Sequence, residues 1–198
     1  LHIHQTQLHS YDYRMLDITL IKYNRPNSLS DYQQHKRCKR ILIYNSFYMY
    51  NVPILFIIFK RKDVALRTLE SIKAAKPSKL YIAGDGARSN VSGEAEKVET
   101  ARQAVLAAID WECEVKTRLS EKNQGCANGV YNAINWLFDN EDRGIVIEDD
   151  CVMQSCFFKF TEELLEKYKD DNRIGMICGA NYAANTSIPD SYVFSRYK

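Results

Sequence analysis

The 198-residue chain has no C-x-x-C pair, no histidine after His35 and no glycine before Gly84. It also lacks a dominant charge. Its 27 basic and 25 acidic residues leave a formal +2, too little for the electrostatic footprint of a nucleic-acid-binding protein. Hydrophobic residues at 45% and charged residues at 26% exclude a disordered chain, a fibrous repeat and a multi-span membrane protein. Cysteines 38, 113, 126, 151, 156 and 178 are irregularly spaced, and a chain of this size folds without staples. Thiols in a reducing compartment, the cytoplasm, are therefore expected. No cationic segment leads into an apolar run and a small-residue cleavage site, so no secretory signal is predicted.

The missing glycines mark a seam. Residues 1–48 hold all four histidines, with seven basic and three acidic side chains, and show no sustained helical or strand period. They are expected to form a poorly ordered or non-native arm, with residues 49–198 as the folded domain. From Ile41 to Phe59 runs a stretch of 19 uncharged residues behind the cluster Lys36, Arg37, Lys39 and Arg40, nearly a spanning length with positive flanks. Asn45, Ser46, Asn51 and Pro53 interrupt it, and its last eight residues make a better buried strand. The balance is against a membrane anchor.

From Val52 onward the pattern becomes regular. VPILFIIF (52–59) is a continuous apolar run of the kind that forms a strand covered on both faces. Asp63 is placed to cap a helix through about Ala75, with Leu66, Leu69 and Ile72 on one side. KLYIA (79–83) predicts a second strand ended by the turn formers of GDGARSN. Helical spacing follows over 94–109, strand alternation over 112–119, and helical spacing again over 125–138. GIVIEDD (144–150) is an apolar strand ending in three acids; a helix over 155–171 and a strand over 174–180 complete the pattern. Such alternation predicts an α/β fold, an open, mostly parallel Rossmann-like sheet with helices on both faces. Ligands in these sheets bind beyond the carboxyl ends of the strands.

Three strand ends carry the candidate chemistry: Lys60-Arg61-Lys62-Asp63, Gly84-Asp85-Gly86 and Glu148-Asp149-Asp150. Three adjacent carboxylates repel one another, and after a buried Ile-Val-Ile run they cannot all be remote from the core. A hard divalent cation, magnesium or manganese, relieves that repulsion and bridges carboxylate to substrate phosphate. Asp85 between two glycines also suits a simple turn, and Arg61 an ordinary cation beside a strand. Cys151 and Cys156 lack the further ligands a soft metal needs, and Trp111 and Trp136 are expected in packing. Asn90-Val91-Ser92 and Asn185-Thr186-Ser187 match the glycosylation pattern, by chance if no leader precedes them.

In this arrangement residues 52–198 resemble the nucleotide-sugar-binding half of a GT-A-type glycosyltransferase, in particular the N-acetylglucosaminyltransferase I group with its E-D-D motif. The resemblance rests on the ordered set Arg61, Asp85, Asn123-x-Gly125 and Glu148-Asp149-Asp150. It implies a UDP-sugar donor and a manganese or magnesium ion held by Asp150. It also implies that Glu148 and Asp149 lie near the ribose and sugar phosphate, Arg61 near the nucleotide and Asp85 at the uracil ring. The implied activity is transfer to a glycan, lipid or protein acceptor, with no nucleic-acid partner. In the resembled group the catalytic base and acceptor wall follow the region ending here in SYVFSRYK. The expectation is a donor-binding half truncated on its C-terminal side, with the catalytic residue unassigned. A non-catalytic nucleotide-binding remnant is the alternative. A sugar-nucleotide nucleotidylyltransferase shares the alternation, but FKRKD lacks the Gly-rich phosphate loop it would require.

Overall fold

The computed structural model describes residues 14–18, 50–154 and 156–179. Among these residues six strands form one sheet: β1 (Arg14–Ile18), β2 (Ile54–Ile58), β3 (Lys79–Gly84), β4 (Glu114–Leu119), β5 (Arg143–Glu148) and β6 (Met176–Cys178). Their spatial order is β4-β3-β2-β5-β1-β6, and every pairing is parallel. The chain steps outward from β2 through β3 to β4, then returns to place β5 on the other side of β2. The strand order thus reverses at the β2–β5 boundary, the topological switch point, and the space outside the carboxyl ends of these two strands, here the crevice, is where open α/β sheets take their ligands.

Among the described residues four helices run between these strands: α1 (Lys62–Lys73), α2 (Glu94–Ala107), α3 (Cys126–Phe138) and α4 (Phe157–Lys167). Residues of α1, α2 and α4 pack on one face of the sheet. Leu69, Ile72, Val105, Phe157, Phe158 and Leu165 meet Ile54, Phe56, Ile58, Leu80, Ile82, Ile145 and Ile147 there. The other face lies under α3, where Ala133 and Leu137 meet Leu55, Tyr81, Ala83 and Val146. β2 and β5 read as unbroken apolar runs because both of their faces are covered.

The α/β class and the parallel Rossmann-like sheet are as the sequence predicts; several boundaries are not. α1 begins at Lys62, with Arg61 at the cap position and no side-chain cap bond. Asp63 therefore lies inside the first turn, where its charge favours the helix dipole rather than capping it. β4 does not behave as a half-buried alternating strand. It is mostly exposed because it is the sheet edge, and Glu114, Lys116 and Arg118 give it the charge typical of one. β5 ends at Glu148, leaving Asp149 and Asp150 in the following turn.

Within the stretch expected as an arm, Arg14–Ile18 pairs with both β5 and β6. The rest of residues 1–49 lies outside the described residues. So do residues 180–198, with the Asn185 pattern and the SYVFSRYK segment. Of the uncharged stretch 41–59, residues 54–58 are the central strand β2. Among the described residues no helix is long and apolar enough to cross a membrane.

Candidate functional site

At the switch point the Arg61 side chain reaches from the end of β2 to the turn after β5. Arg61 follows β2; Asp149 and Asp150 follow β5. The Arg61 guanidinium donates from Nη2 to Asp149 Oδ1 and from Nε to Asp149 Oδ2 at 3.3 Å. It also donates from Nη2 to Asp150 Oδ2 at 3.1 Å. This fork matches the two oxygens of a carboxylate, a geometry lysine cannot supply. The Asp149 hydrogen bond, foremost, raises the Arg61 pKa above its ordinary value.

The two aspartates differ in setting. The Asp149 side chain is 7% exposed and that of Asp150 34%. Thr68 of α1 fixes the turn by donating its hydroxyl to the Asp149 carbonyl at 2.7 Å, and the Cys151 amide closes it onto the Glu148 carbonyl at 3.1 Å. Asp149 is thus an internal counter-charge that orients Arg61, while Asp150 presents a carboxylate edge to solvent. Glu148 is half-buried at the end of β5.

Asp85 belongs to a second cluster at the end of β3. Its Oδ1 accepts from the Gly86 amide at 2.9 Å and the Gln124 amide at 2.8 Å. Its Oδ2 accepts from the Gly125 amide at 3.0 Å and Asn123 Nδ2 at 2.9 Å. A carboxylate has about four lone-pair sites, and four donors meet this one. The structure therefore joins Asp85 to Asn123 and Gly125, as members of one loop cluster. It joins Arg61, Asp149 and Asp150 as another, one to two strand spacings (roughly 5–10 Å) away along the sheet.

Two contributors escape the sequence pattern. Glu94, the first residue of α2, is 1% exposed. It accepts from Lys60 Nζ at 2.5 Å and from the Arg88 side chain at 2.6 and 2.9 Å. Those bonds, Arg88 first and Lys60 next, hold its carboxyl well below the usual range. Lys60 and Arg88, cations that a strand-end scan would offer to phosphate, are engaged by this glutamate. Arg102, in the middle of α2, donates from Nη2 to the carbonyls of Ser120 at 2.6 Å and Asp85 at 3.1 Å. An acid opening a helix and an arginine within one are ordinary helix residues, so only their burial distinguishes them.

The donor chemistry at the crevice fits a hexacoordinate magnesium or manganese ion that keeps waters and uses one protein carboxylate with substrate phosphates. Asp150, the more exposed of the two aspartates, is the carboxylate that could contribute to such an ion. Among the described residues no group of three or more His, Cys, Asp or Glu side chains converges as a ligand set, so the donors do not suit an all-protein cage.

Fold and site together define a Rossmann-like α/β protein with an acid-and-arginine cluster at its switch point. Comparison of the chain with protein-family models, curated proteins and solved structures found no match.

Proposed function

We propose that the crevice binds a UDP-sugar with manganese or magnesium and serves glycosyl transfer from that donor. The observation that carries the reading is the Arg61–Asp149–Asp150 cluster across the β2–β5 boundary. It places a fixed guanidinium beside an accessible carboxylate at the ligand-binding position of an open parallel sheet. Departure of a nucleoside diphosphate concentrates negative charge on the leaving phosphates. The metal, when bound, supplies Lewis-acid neutralisation of that charge. Asp150 supplies the protein carboxylate for the ion. Arg61, half exposed and oriented by Asp149, supplies a guanidinium whose donors stay aimed as charge develops, the condition for electrostatic stabilisation without reorganisation. Glu148, at the β5 terminus, belongs to the wall facing the donor sugar and ribose. The acceptor is a glycan, lipid or protein hydroxyl, and its general base has no assignment among these residues.

The test is calorimetric titration of UDP into the protein with manganese and with chelator, for the wild type and Asp150→Asn. Manganese should tighten UDP binding to the wild type on the order of tenfold or more, a usual size for coupled sites. Asp150→Asn should lose most of that gain while keeping its melting transition. Equal UDP affinity in all four samples would sink the reading.

A further inference from the structure

The loop cluster around Asp85 is built from both sides of its backbone. On the amide side, the carboxylate gathers the N–H groups of Gly86, Gln124 and Gly125 and the Asn123 side-chain amide. On the carbonyl side, Arg102 Nη2 reaches Gly84 at 3.5 Å, Asp85 at 3.1 Å and Ser120 at 2.6 Å. Its side chain is 13% exposed. The same two segments, 84–86 and 120–125, receive every one of these bonds. They also touch directly. A Cβ placed on Gly86 would lie 2.5 Å from the Lys122 carbonyl carbon, and Gly125 holds φ +81°, a left-handed conformation that favours glycine. The Ser120 amide adds a bond to the Gly84 carbonyl at 2.9 Å.

We propose that Asp85 and Arg102 are positioning residues, a two-sided clamp that shapes the 120–125 segment into one wall of the nucleotide crevice, and that Asp85 does not itself accept a hydrogen bond from the base. This rests on the UDP-sugar reading only for the identity of the ligand. The resemblance would give Asp85 to the uracil imide. Its acceptor sites are already met by four donors, three of them main-chain amides whose loss would open the loop. A carboxylate so committed serves the uridine and cytidine nucleotides alike, because it acts through the wall and not on the base edge. Arg102 works the same way from beneath: a cation within α2 ties two strand ends together through their carbonyls.

Two measurements separate the clamp from a base reader. The first is amide hydrogen exchange in the protein without nucleotide, for the wild type, Asp85→Asn, Arg102→Met and Arg102→Lys. The amides of Gly86, Gln124 and Gly125 should exchange on the order of tenfold faster in Asp85→Asn, the size expected when charged hydrogen bonds to them are lost. Exchange over 120–125 should also quicken in Arg102→Met, and Arg102→Lys, which keeps a cation with three donors, should restore most of the protection. The second is titration with UDP and with CDP in manganese. Both should weaken by the same factor in Asp85→Asn, leaving the UDP-to-CDP ratio where it stands in the wild type. A ratio that collapses would show Asp85 touching the base and overturn the proposal, as would unchanged exchange at the three amides. If the wild type binds neither nucleotide, the UDP-sugar reading fails and the exchange measurement alone decides the clamp. Should Asp85→Asn fail to fold, the Arg102 pair decides it: no quickening in Arg102→Met would overturn the proposal.

Discussion

The face of the sheet under α1, α2 and α4 buries aliphatic and phenyl side chains almost without interruption. The face under α3 buries fewer and mixes them with polar groups. On the first, Ile54, Phe56, Leu80, Ile82, Ile145 and Ile147 are 0% exposed beneath the three helices. On the second, Ile57, Ile134, Trp136 and Phe138 are only partly buried against their cluster. Beyond α3 the sheet carries a polar covering. Tyr81 Oη donates to Glu141 Oε1 at 2.6 Å, Lys116 Nζ donates to Tyr81 Oη at 3.1 Å, and Lys79 pairs with Glu141 at 2.8 Å. Burial, foremost, raises the Tyr81 pKa, so the phenol keeps its proton and its donor role. Among the described residues one helix packs on this face and three on the other, and one cannot cover the width of sheet that three cover. The exposed remainder is closed by long side chains that present apolar stems inward and charge outward.

The comparison is most easily broken by making one substitution on both faces. Ile72 of α1 is 0% exposed, whereas Ile134 of α3 is half-buried. Ile72→Ala should cost about 2–5 kcal/mol, the transfer loss plus a cavity that neighbours cannot fill. Ile134→Ala should cost about 1 kcal/mol, since part of the side chain already meets water. Urea unfolding of the two variants measures the gap; equal costs would show that the faces are equally sealed.

Acid titration sharpens it next. Glu94 opens α2, one of the three helices on the first face, with its carboxyl held low by Arg88 and Lys60. A carboxyl depressed in the folded state contributes stability that is complete above its unfolded pKa, about 4.3 for glutamate. That contribution fades as pH falls below this value toward the folded one. Glu94→Gln lacks it, so the stability difference between wild type and variant should shrink steadily as pH drops below about 4.3. A difference that stays constant down to acid pH would mean the ion pairs do not hold the α2 terminus.

The smallest effect belongs to the polar covering. Tyr81→Phe removes the hydroxyl but leaves the ring against Trp136, an edge contact with centroids 5.0 Å apart. Glu141 keeps its Lys79 partner. The expected loss is about 0.5–1.5 kcal/mol, that of an ordinary hydrogen bond, again by urea unfolding. A loss above about 3 kcal/mol would place Tyr81 among the buried, unsatisfiable groups of a closed core.

Much of this was legible in residue order. The run of apolar residues at 54–58 reads as a strand covered on both faces, and the triplet 148–150 as the end of another. Arg61, Asp149 and Asp150 were nameable from their places after strands, because a parallel α/β chain puts those places at one edge. β1 was not legible: RMLDI has no period of its own, and its strand conformation depends on partners more than a hundred residues away. The helix spacing of α3 was visible, yet nothing in it says that α3 packs on the face of the sheet opposite α1, α2 and α4.

Alternation of apolar strands with periodic helices therefore determined the α/β class and the end of the sheet at which the residues after each strand gather, since both follow from local pattern and chain direction. Tertiary structure decided the assignment of charge at that edge. Lys60 and Arg88 went to Glu94, Arg61 to Asp149, and Asp85 to the amides of 86, 124 and 125. The physical reason is that a partly buried charge takes whichever opposite charge or dipole the fold brings within about 3 Å, and that distance is a property of packing, not of sequence separation.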